Sequence, residues 1–143
     1  MIYTEQTRKA LRLCFEAHKD QVDKTGVPYV FHPFHLAEQM QDETTTTVAL
    51  LHDVVEDTDY TLEDLKEMGF APEVLEAIAL LTHDPAVPYE EYLIPIKANP
   101  VARCVKLADL AHNSDPTRAP EVTPWMEARW EIYRKAREFL TTP

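Results

Sequence analysis

Apolar residues recur every three or four positions along most of the chain, a spacing typical of amphipathic helices packed around one core. The first helix, for example, presents a stripe made of Thr7, Ala10, Leu11, Cys14 and Ala17. No run of alternating apolar and polar residues, the pattern of a half-buried strand, interrupts these helices. The 143 residues, of which 45% are apolar, are enough for one domain with a full core. The sequence therefore predicts an all-α bundle of about eight helices that forms a single domain over residues 1–143.

Capping residues, glycine and proline predict where several helices begin and end. Thr61 and Asp64 resemble a capping box that opens a short helix, which should stop at Gly69. A helix over residues 44–54 should carry a buried apolar run to its C-terminal end. Pro95 lies inside an apolar helical stretch and predicts a kink or a break there.

Charge and glycine content exclude several classes of binding protein. The formal net charge is -11, and no long basic patch offsets it, which disfavours a nucleic-acid partner. Only two glycines occur, at Gly26 and Gly69, so the phosphate loop and the dinucleotide fingerprint are both absent. A small phosphorylated ligand remains compatible with this charge, because a metal and a few local cations can reverse the potential inside one pocket.

Several features predict a cytoplasmic protein without a membrane partner. Cys14 and Cys104 each fall on an apolar helical stripe, so we expect both to be small buried hydrophobes in a reducing compartment. No stretch approaches the roughly 20 apolar residues that span a bilayer. The N-terminus has neither the basic segment nor the apolar segment of a secretory signal. Nothing in the sequence indicates an oligomeric state.

A cluster of polar residues follows directly on the apolar run Thr47–Leu51. His52, Asp53, Glu56 and Asp57 make up this cluster. Burying these groups would be costly unless something compensates their charge, and a divalent metal can be ligated by imidazole and carboxylate together. On a continuous helix, residues four apart lie in the same row, so two polar rows would face one site. The segment therefore predicts a metal centre with acid/base groups beside it.

Two further polar residues embedded in apolar sequence complete the candidate site. His32 precedes Pro33, and Asp109 lies in the stretch VKLADL. Alternatives exist for each: His32 could merely cap the following helix, and Asp109 could pair with Lys106 on a solvated face. Glu56 and Asp57 are placed to orient a water molecule and move its proton, because a divalent ion lowers the pKa of water to near neutrality. For His18 and His35 the sequence favours structural roles, whereas His83 and His112 are candidates for the rim of the pocket.

At these residues the sequence resembles the HD superfamily of metal-dependent phosphohydrolases. More narrowly, it resembles the hydrolase domain of RelA/SpoT-type alarmone enzymes and their small stand-alone relatives. The matching segments are residues 18–21, 26–33 (GVPYVFHP), 49–58 (ALLHDVVEDT), 81–82 and 105–113 (VKLADLAHN).

The resemblance implies a role for each matching residue. It implies that one divalent ion, typically Mn²⁺, is bound by His32, His52, Asp53 and Asp109. Glu56 and Asp57 would position or activate the attacking water. The nucleotide pocket would be lined by Lys24, Tyr29, Lys106 and Asn113. The implied reaction is hydrolytic removal of the 3′ pyrophosphate from guanosine tetra- or pentaphosphate, a small phosphorylated nucleotide.

Two positions depart from the family pattern. Asp23 stands where an Arg is usual, and Leu110 stands where a basic residue is usual. Losing two cations should weaken a pocket for a highly charged pyrophosphate, although Arg118 can restore one of them. Two alternatives to the alarmone reaction follow: hydrolysis of another nucleotide or phosphoester, and a metal-binding regulatory module without turnover. Intact Glu56 and Asp57 speak against the regulatory module, because a site without catalysis has no need for a proton shuttle.

Overall fold

Nine α-helices and one 3-10 turn form in the computed structural model, which describes residues 1–143. The helices are α1 (Glu5–His18), α2 (Phe31–Glu38), α3 (Glu43–Leu51), α4 (Val54–Asp57), α5 (Leu62–Glu67), α6 (Pro72–Leu81), α7 (Tyr89–Ala98), α8 (Pro100–Asn113) and α9 (Pro124–Thr141). The 3-10 turn spans Pro116–Arg118, and the loop before α2 holds one isolated antiparallel bridge, between Val22 and Pro28. The predicted all-α fold is confirmed.

Helix α3 lies at the centre of the core. Every residue from Thr45 to Leu51 is buried, and α3 packs against α1, α2, α6 and α8. A buried threonine hydroxyl in this helix can form a hydrogen bond within the helix itself. Thr47 Oγ1, for instance, donates to the Glu43 carbonyl oxygen at 2.8 Å. Because α3 runs through the core, His52, the first residue after it, is buried in the interior of the fold.

Local capping signals are realised at α5. The Asp64 backbone N–H donates to Thr61 Oγ1 at 3.1 Å, and the Thr61 N–H donates to Asp64 Oδ2 at 2.9 Å. This reciprocal pair is the predicted capping box. At the other end of the helix, Gly69 adopts φ +86°, a left-handed conformation that glycine reaches without strain. The predicted start and stop of this helix are both confirmed.

Helix α7 continues through Pro95, so of the predicted kink or break, the break is wrong. A proline at this position removes one hydrogen bond to the carbonyl of Glu91. Pro95 and Glu91 both lie on the exposed side of α7, where water can satisfy that carbonyl. Leu93 and Ile96 on the opposite side are buried in the core and hold the helix in place.

The two cysteines differ in burial. Cys14 is buried in the core as predicted, and burial raises the pKa of its thiol to about 12. Cys104 is exposed, which contradicts the prediction. The core side of α8 is formed by Ala102, Val105 and Leu110, so Cys104 lies outside the buried face.

Helix α9 closes the bundle beside the polar cluster. Thr123 caps it, and α9 packs against α7 and α8. Only Ala136 and Leu140, near its C-terminal end, are fully buried. The N-terminal half is therefore free to line a cavity. None of the helices combines the length and the apolar character that a membrane span requires.

Candidate active site

The four side chains expected to bind metal meet at one point, although they come from three separate parts of the fold. His32 is the second residue of α2, and Asp109 lies in the C-terminal half of α8. His52 and Asp53 connect α3 to α4. His32, His52 and Asp109 are buried, and Asp53 is half-buried.

The donor atoms of these side chains are separated by distances that suit one shared cation. Asp109 Oδ1 lies 2.9 Å from His32 Nε2 and 3.6 Å from His52 Nε2. Asp53 Oδ2 lies 2.9 Å from His52 Nε2 and 4.0 Å from His32 Nε2. Ligand atoms that each bind one ion at about 2.0–2.2 Å lie roughly 3–4 Å from one another. His32, His52 and Asp109 therefore form one group suited to a divalent ion, with ligand atoms within 4.8 Å of one another, and Asp53 adjoins this group through the two histidines.

His52 carries the clearest sign that a cation belongs here. Its Nδ1 lies 2.7 Å from the Ala49 carbonyl oxygen, which can only accept, so Nδ1 holds the proton. In the neutral ring Nε2 is then an unprotonated lone pair. This buried atom has no partner of hydrogen-bond geometry, and it faces carboxylate oxygens of Asp53 and Asp109. Acceptors that face one another need a proton or a metal ion between them.

The electrostatics at His52 favour that cation. Burial lowers the pKa of His52, but the carboxylates of Asp53 and Asp109 outweigh burial and raise the pKa well above its usual range. The same negative field that holds a proton on the ring attracts a divalent ion to the same place. A mixed set of imidazole and carboxylate donors is also the chemistry that first-row transition metals prefer over Mg²⁺ or Ca²⁺.

Asp109 is held in position from three sides. Lys106 Nζ lies 3.1 Å from Oδ2, Asn113 Nδ2 donates to Oδ1 at 3.0 Å, and His32 contacts Oδ1. Burial alone would raise the pKa of Asp109, but the Lys106 ammonium, the hydrogen bond to His32 and the nearby His52 ring hold it well below its usual range. The alternative of a solvated Asp109–Lys106 pair is wrong, because the pair is buried.

The helix does not run on through the polar cluster, as the sequence had suggested. α3 ends at Leu51, and Asp53 precedes α4 with φ -104° and ψ 0°. On a continuous helix, neighbouring side chains point about 100° apart. The turn instead directs His52 and Asp53 into the same site, with Nε2 and Oδ2 only 2.9 Å apart. The prediction of two helical rows facing the site is corrected to two neighbouring ligands at a helix break.

Glu56 and Asp57 lie on α4 at the open side of the cluster. Their carboxylates and that of Asp53 form an acidic group whose oxygens lie within 4.8 Å of one another. Glu56 Oε1 accepts a hydrogen bond from the His83 backbone N–H at 2.6 Å. Although Asp57 as a residue is exposed, partial burial of its carboxyl group, followed by the charges of Asp53 and Glu56, raises its pKa to about 6. A carboxyl group that exchanges a proton near neutral pH thus lies beside the expected ligands.

Two adjoining cavities open beside the cluster. One cavity, of about 240 Å³, is lined by His52, Asp53, Glu56 and Asp57, and we call it the metal cavity. The outer groove, of about 380 Å³, lies between the loop before α2, the end of α8 and the first half of α9. Both are lined by Tyr29, Asn113, Arg129 and Tyr133, so the cavities are continuous.

Several residues that line these cavities were not identified from the sequence. They are Tyr89, Tyr92, Trp125, Arg129, Trp130 and Tyr133. On α9 they belong to an amphipathic pattern that indicates only a helix, and no motif distinguishes them. Tyr89 Oη is buried and has no hydrogen-bond partner within the chain. Because buried hydroxyl groups normally have a partner, a bound ligand is a natural one for Tyr89.

The residues expected to line the nucleotide pocket are distributed over both cavities. Tyr29 donates a hydrogen bond from its hydroxyl group to Asp53 Oδ2, so it supports an expected ligand directly. Lys106 and Asn113 line the metal cavity while bonded to Asp109. Lys24 lines the outer groove, with Nζ 3.5 Å from the centroid of the Trp125 ring.

Asp23 and Arg118 form one ion pair at the edge of the outer groove. Arg118 Nη2 lies 3.5 Å from Asp23 Oδ2. The other oxygen, Oδ1, accepts from the Thr25 N–H at 2.8 Å and from the Val27 N–H at 3.1 Å, which shapes the loop. The charge that Asp23 introduces is thus neutralised by Arg118, and Arg118 is not a free additional cation.

Leu110 does not face the site. It is 1% exposed and belongs to the core, and it lines neither cavity. The expectation that Leu110 removes a cation from the pocket is therefore wrong for this structure.

Comparison with curated proteins identifies relatives, several of them described as 3′-pyrophosphohydrolases, although no family model matches the chain. The guanosine-3′,5′-bis(diphosphate) 3′-pyrophosphohydrolase of Aquifex aeolicus is 32% identical over 123 residues, which cover 78% of this chain and 18% of the relative. The probable GTP pyrophosphokinase of Mycobacterium leprae is 34% identical, over 93% of this chain and 18% of the relative. The mouse guanosine-3′,5′-bis(diphosphate) 3′-pyrophosphohydrolase MESH1 is 33% identical, over 83% of this chain and 74% of the relative. The chain thus spans less than a fifth of the two bacterial relatives and about three quarters of the animal one.

A solved structure shares the same fold. It is described as a metazoan ortholog of SpoT that hydrolyzes ppGpp, and it superposes with a TM-score of 0.77. The sequences are 25% identical, and the match covers 99% of this chain and 88% of that one. The similarity in fold therefore extends over almost the whole chain.

Proposed function

Because the chain belongs to the HD-domain family of RelA/SpoT-type (p)ppGpp hydrolases, we propose that it is a metal-dependent hydrolase that removes the 3′ diphosphate from guanosine 3′,5′-bis(diphosphate). Water would supply the hydroxyl group that ends on the released pyrophosphate, and its proton would end on the ribose 3′ oxygen. The observation that carries the proposal is the buried group of His32, His52 and Asp109. Asp53 Oδ2 lies 2.9 Å from His52 Nε2 and connects this group to the acidic pair on α4.

We propose that the four converging donors hold one Mn²⁺ ion. His52 Nε2, which has no hydrogen-bond partner and faces two carboxylates, and the ionised carboxylate of Asp109 support a cation at this point. When bound, such an ion provides a nucleophilic water near neutral pH and neutralises charge on a phosphate group. The donor set contains no thiolate, which agrees with Mn²⁺ rather than a structural zinc site.

The proposed acid/base groups are Glu56 and Asp57. Glu56 is oriented by the His83 N–H, which leaves Oε2 free to accept a proton or a hydrogen bond from water. Asp57, with a pKa of about 6, can exchange a proton at the pH where the enzyme would operate. Both carboxyl groups line the metal cavity, so either can reach a water molecule held there.

The two cavities suggest how a nucleotide would lie. Arg129 lines both cavities and offers positive charge to the diphosphate that is removed, whereas Lys106 in the metal cavity is already paired with Asp109. The outer groove offers Lys24 above the exposed ring of Trp125, a surface suited to the nucleoside end of the substrate. These local cations compensate for the acidic net charge of the chain at the one place where a polyanion must enter.

A second candidate substrate is a nucleotide or phosphoester with fewer charges. The Asp23–Arg118 pair supports it, because a guanidinium already bound to a carboxylate offers less to a second anion. The proposal also includes a single HD-type domain over residues 1–143 and a cytoplasmic location. The unpaired state of Cys14 and Cys104 agrees with a reducing compartment.

One assay tests the proposed reaction. Mn²⁺-loaded protein is incubated with guanosine 3′,5′-bis(diphosphate) and with a panel of nucleoside mono-, di- and triphosphates, and the products are separated by anion-exchange chromatography. We expect GDP and pyrophosphate from the alarmone, and no products with the Asp53→Asn variant. Turnover of other nucleotides alone would establish the second candidate, and metal binding without any turnover would leave a regulatory module.

A further inference from the structure

The ring of His32 is bonded at both nitrogens, one toward the metal-ligand cluster and one away from it. Nε2 lies beside Asp109 Oδ1, and Nδ1 lies 2.7 Å from Nδ1 of His112. The two rings are 5.0 Å apart between centroids, and their planes differ by only 6°. This separation places the rings edge to edge in nearly one plane, so the Nδ1 atoms face each other along their lone-pair directions.

When His32 binds metal, the position of the proton between the two rings is determined. A metal-ligating imidazole is neutral and carries its one proton on the other nitrogen. Nδ1 of His32 must then donate, and Nδ1 of His112 must accept. At His52, the corresponding Nδ1 donates to the Ala49 carbonyl oxygen, which is the usual kind of partner. His112 occupies the same place for His32 that a backbone carbonyl occupies for His52.

We infer that His112 is a positioning residue for the metal site: it accepts the Nδ1 proton of His32 and thereby fixes the tautomer and the ring orientation that direct Nε2 at the ion. The inference rests on the metal site of the proposed function. It assigns His112 no contact with substrate or with the reacting atoms.

The backbone of His112 is fixed by its helix and by Arg118, and a third imidazole packs against its ring. The His35 ring stacks on its outer face, with centroids 4.2 Å apart and planes at 28°. Arg118 Nη1 donates to the His112 carbonyl oxygen at 3.0 Å. His112 is also three residues beyond Asp109 on α8, so one rigid helix carries a proposed ligand and the residue that positions another.

The test compares two substitutions of His112 that differ in one acceptor atom. His112→Asn keeps an acceptor oxygen close to the position of Nδ1, whereas His112→Leu fills similar space without one. His35→Leu is the matched control, since it removes the stacked ring and leaves the His32–His112 bond in place. Binding of Mn²⁺ alone is measured by calorimetric titration without nucleotide, and the melting temperature of each metal-free variant is measured in parallel.

We expect His112→Leu to bind Mn²⁺ about 10- to 100-fold more weakly, the usual effect of removing such a partner. His112→Asn should recover most of the loss, and His35→Leu should bind as the wild type does. Equal affinity of His112→Leu and the wild type would overturn the inference. So would an Asn variant as weak as the Leu variant, particularly if both lower the metal-free melting temperature equally, because the role would then be structural.

The two hypotheses fail in distinguishable ways. A wild-type protein that binds Mn²⁺ but does not hydrolyse the alarmone contradicts the proposed reaction and leaves the role of His112 to be decided by the titrations. A wild-type protein that binds no divalent metal overturns the metal site and the inference together.

Discussion

At the scale of single residues, the site depends on buried polar side chains in which one atom lacks a hydrogen-bond partner. His52 is saturated at Nδ1 by a backbone carbonyl and unsatisfied at Nε2. An unsatisfied buried polar atom costs about 1–3 kcal/mol. Asp53 and Asp109 add negative charge beside it, and the Lys106 ammonium compensates that of Asp109. A cation shared by these groups offsets both costs at once.

Glu56→Gln should separate catalysis from metal binding. The glutamine oxygen can still accept the hydrogen bond from the His83 N–H, but the side chain can no longer take up a proton. We expect alarmone turnover to fall by about 10²–10⁴-fold, the usual contribution of a general acid/base group, with Mn²⁺ affinity unchanged. Steady-state turnover and Mn²⁺ titration of the same preparation measure the two effects.

The matched control for this substitution is Glu63→Gln. Glu63 is exposed on α5 and lines neither cavity, so the same change of side chain should leave turnover at the wild-type rate. A Glu56→Gln enzyme with a near-native rate would refute the acid/base role of Glu56 and shift it to Asp57.

At the scale of helices, local sequence signals and core packing can favour different structures. Local signals decide the bounds of α5, and packing decides the continuity of α7. The capping box and Gly69 delimit α5 as their local chemistry requires. In α7, packing prevails over the local signal, because buried Leu93 and Ile96 keep the helix continuous through Pro95. Each case yields a test in which one side chain changes and the fold does not.

Pro95→Ala should stabilise the protein. Alanine restores the N–H that can bond to the Glu91 carbonyl oxygen and removes the clash of the proline ring, which together cost up to about 3 kcal/mol in a helix interior. Urea denaturation should show a higher midpoint. Pro72→Ala is the control, because Pro72 is at the first position of α6, where proline is well tolerated. An unchanged midpoint for Pro95→Ala would mean that α7 already accommodates the proline without cost.

Gly69→Ala should destabilise the protein by about 1–2 kcal/mol, because an L-residue is strained at φ +86°. The added Cβ would lie 3.3 Å from Lys9 Nζ, which is the end of a flexible side chain and can move. Gly69→Asn should lose less, since asparagine tolerates the left-handed region better. Chemical denaturation ranks the three proteins, and equal losses for alanine and asparagine would point to crowding rather than backbone strain.

At the scale of the whole molecule, the site connects parts of the chain that are distant in sequence. Its side chains come from α2, from the junction of α3 and α4, and from α8, and α9 packs against α8 to form one wall of the outer groove. An ion that binds all four donors would therefore bridge the bundle. Its binding energy would add to the stability of the entire fold.

Mn²⁺ should raise the melting temperature of the protein, and a chelator should reverse the effect. A ligand that binds only the folded state stabilises it by about 2.7 kcal/mol at a concentration 100 times its Kd. Differential scanning calorimetry over a series of Mn²⁺ concentrations measures this shift. Asp53→Asn is the control and should show little dependence on Mn²⁺. A wild-type melting temperature that does not change with Mn²⁺ concentration would contradict the metal site.

The sequence by itself determined the helical class, several helix ends, and which polar residues sit in apolar surroundings. Those properties depend on near neighbours in the chain: apolar periodicity, capping side chains and glycine conformation act within a few residues. For this reason His32, His52, Asp53 and Asp109 could be identified as a set before their positions were known.

Only the tertiary structure decided what lies around that set. The periodicity of a helix reports which face is apolar but not which helix it meets, so neither the Asp23–Arg118 pair nor the aromatic wall from α9 follows from it. Cys104 and Leu110 show the same limit, since each is a few residues from Asp109 and yet one is exposed and the other is in the core. The edge-to-edge bond between His32 and His112, residues 80 apart in the chain, exists only because α2 and α8 pack together.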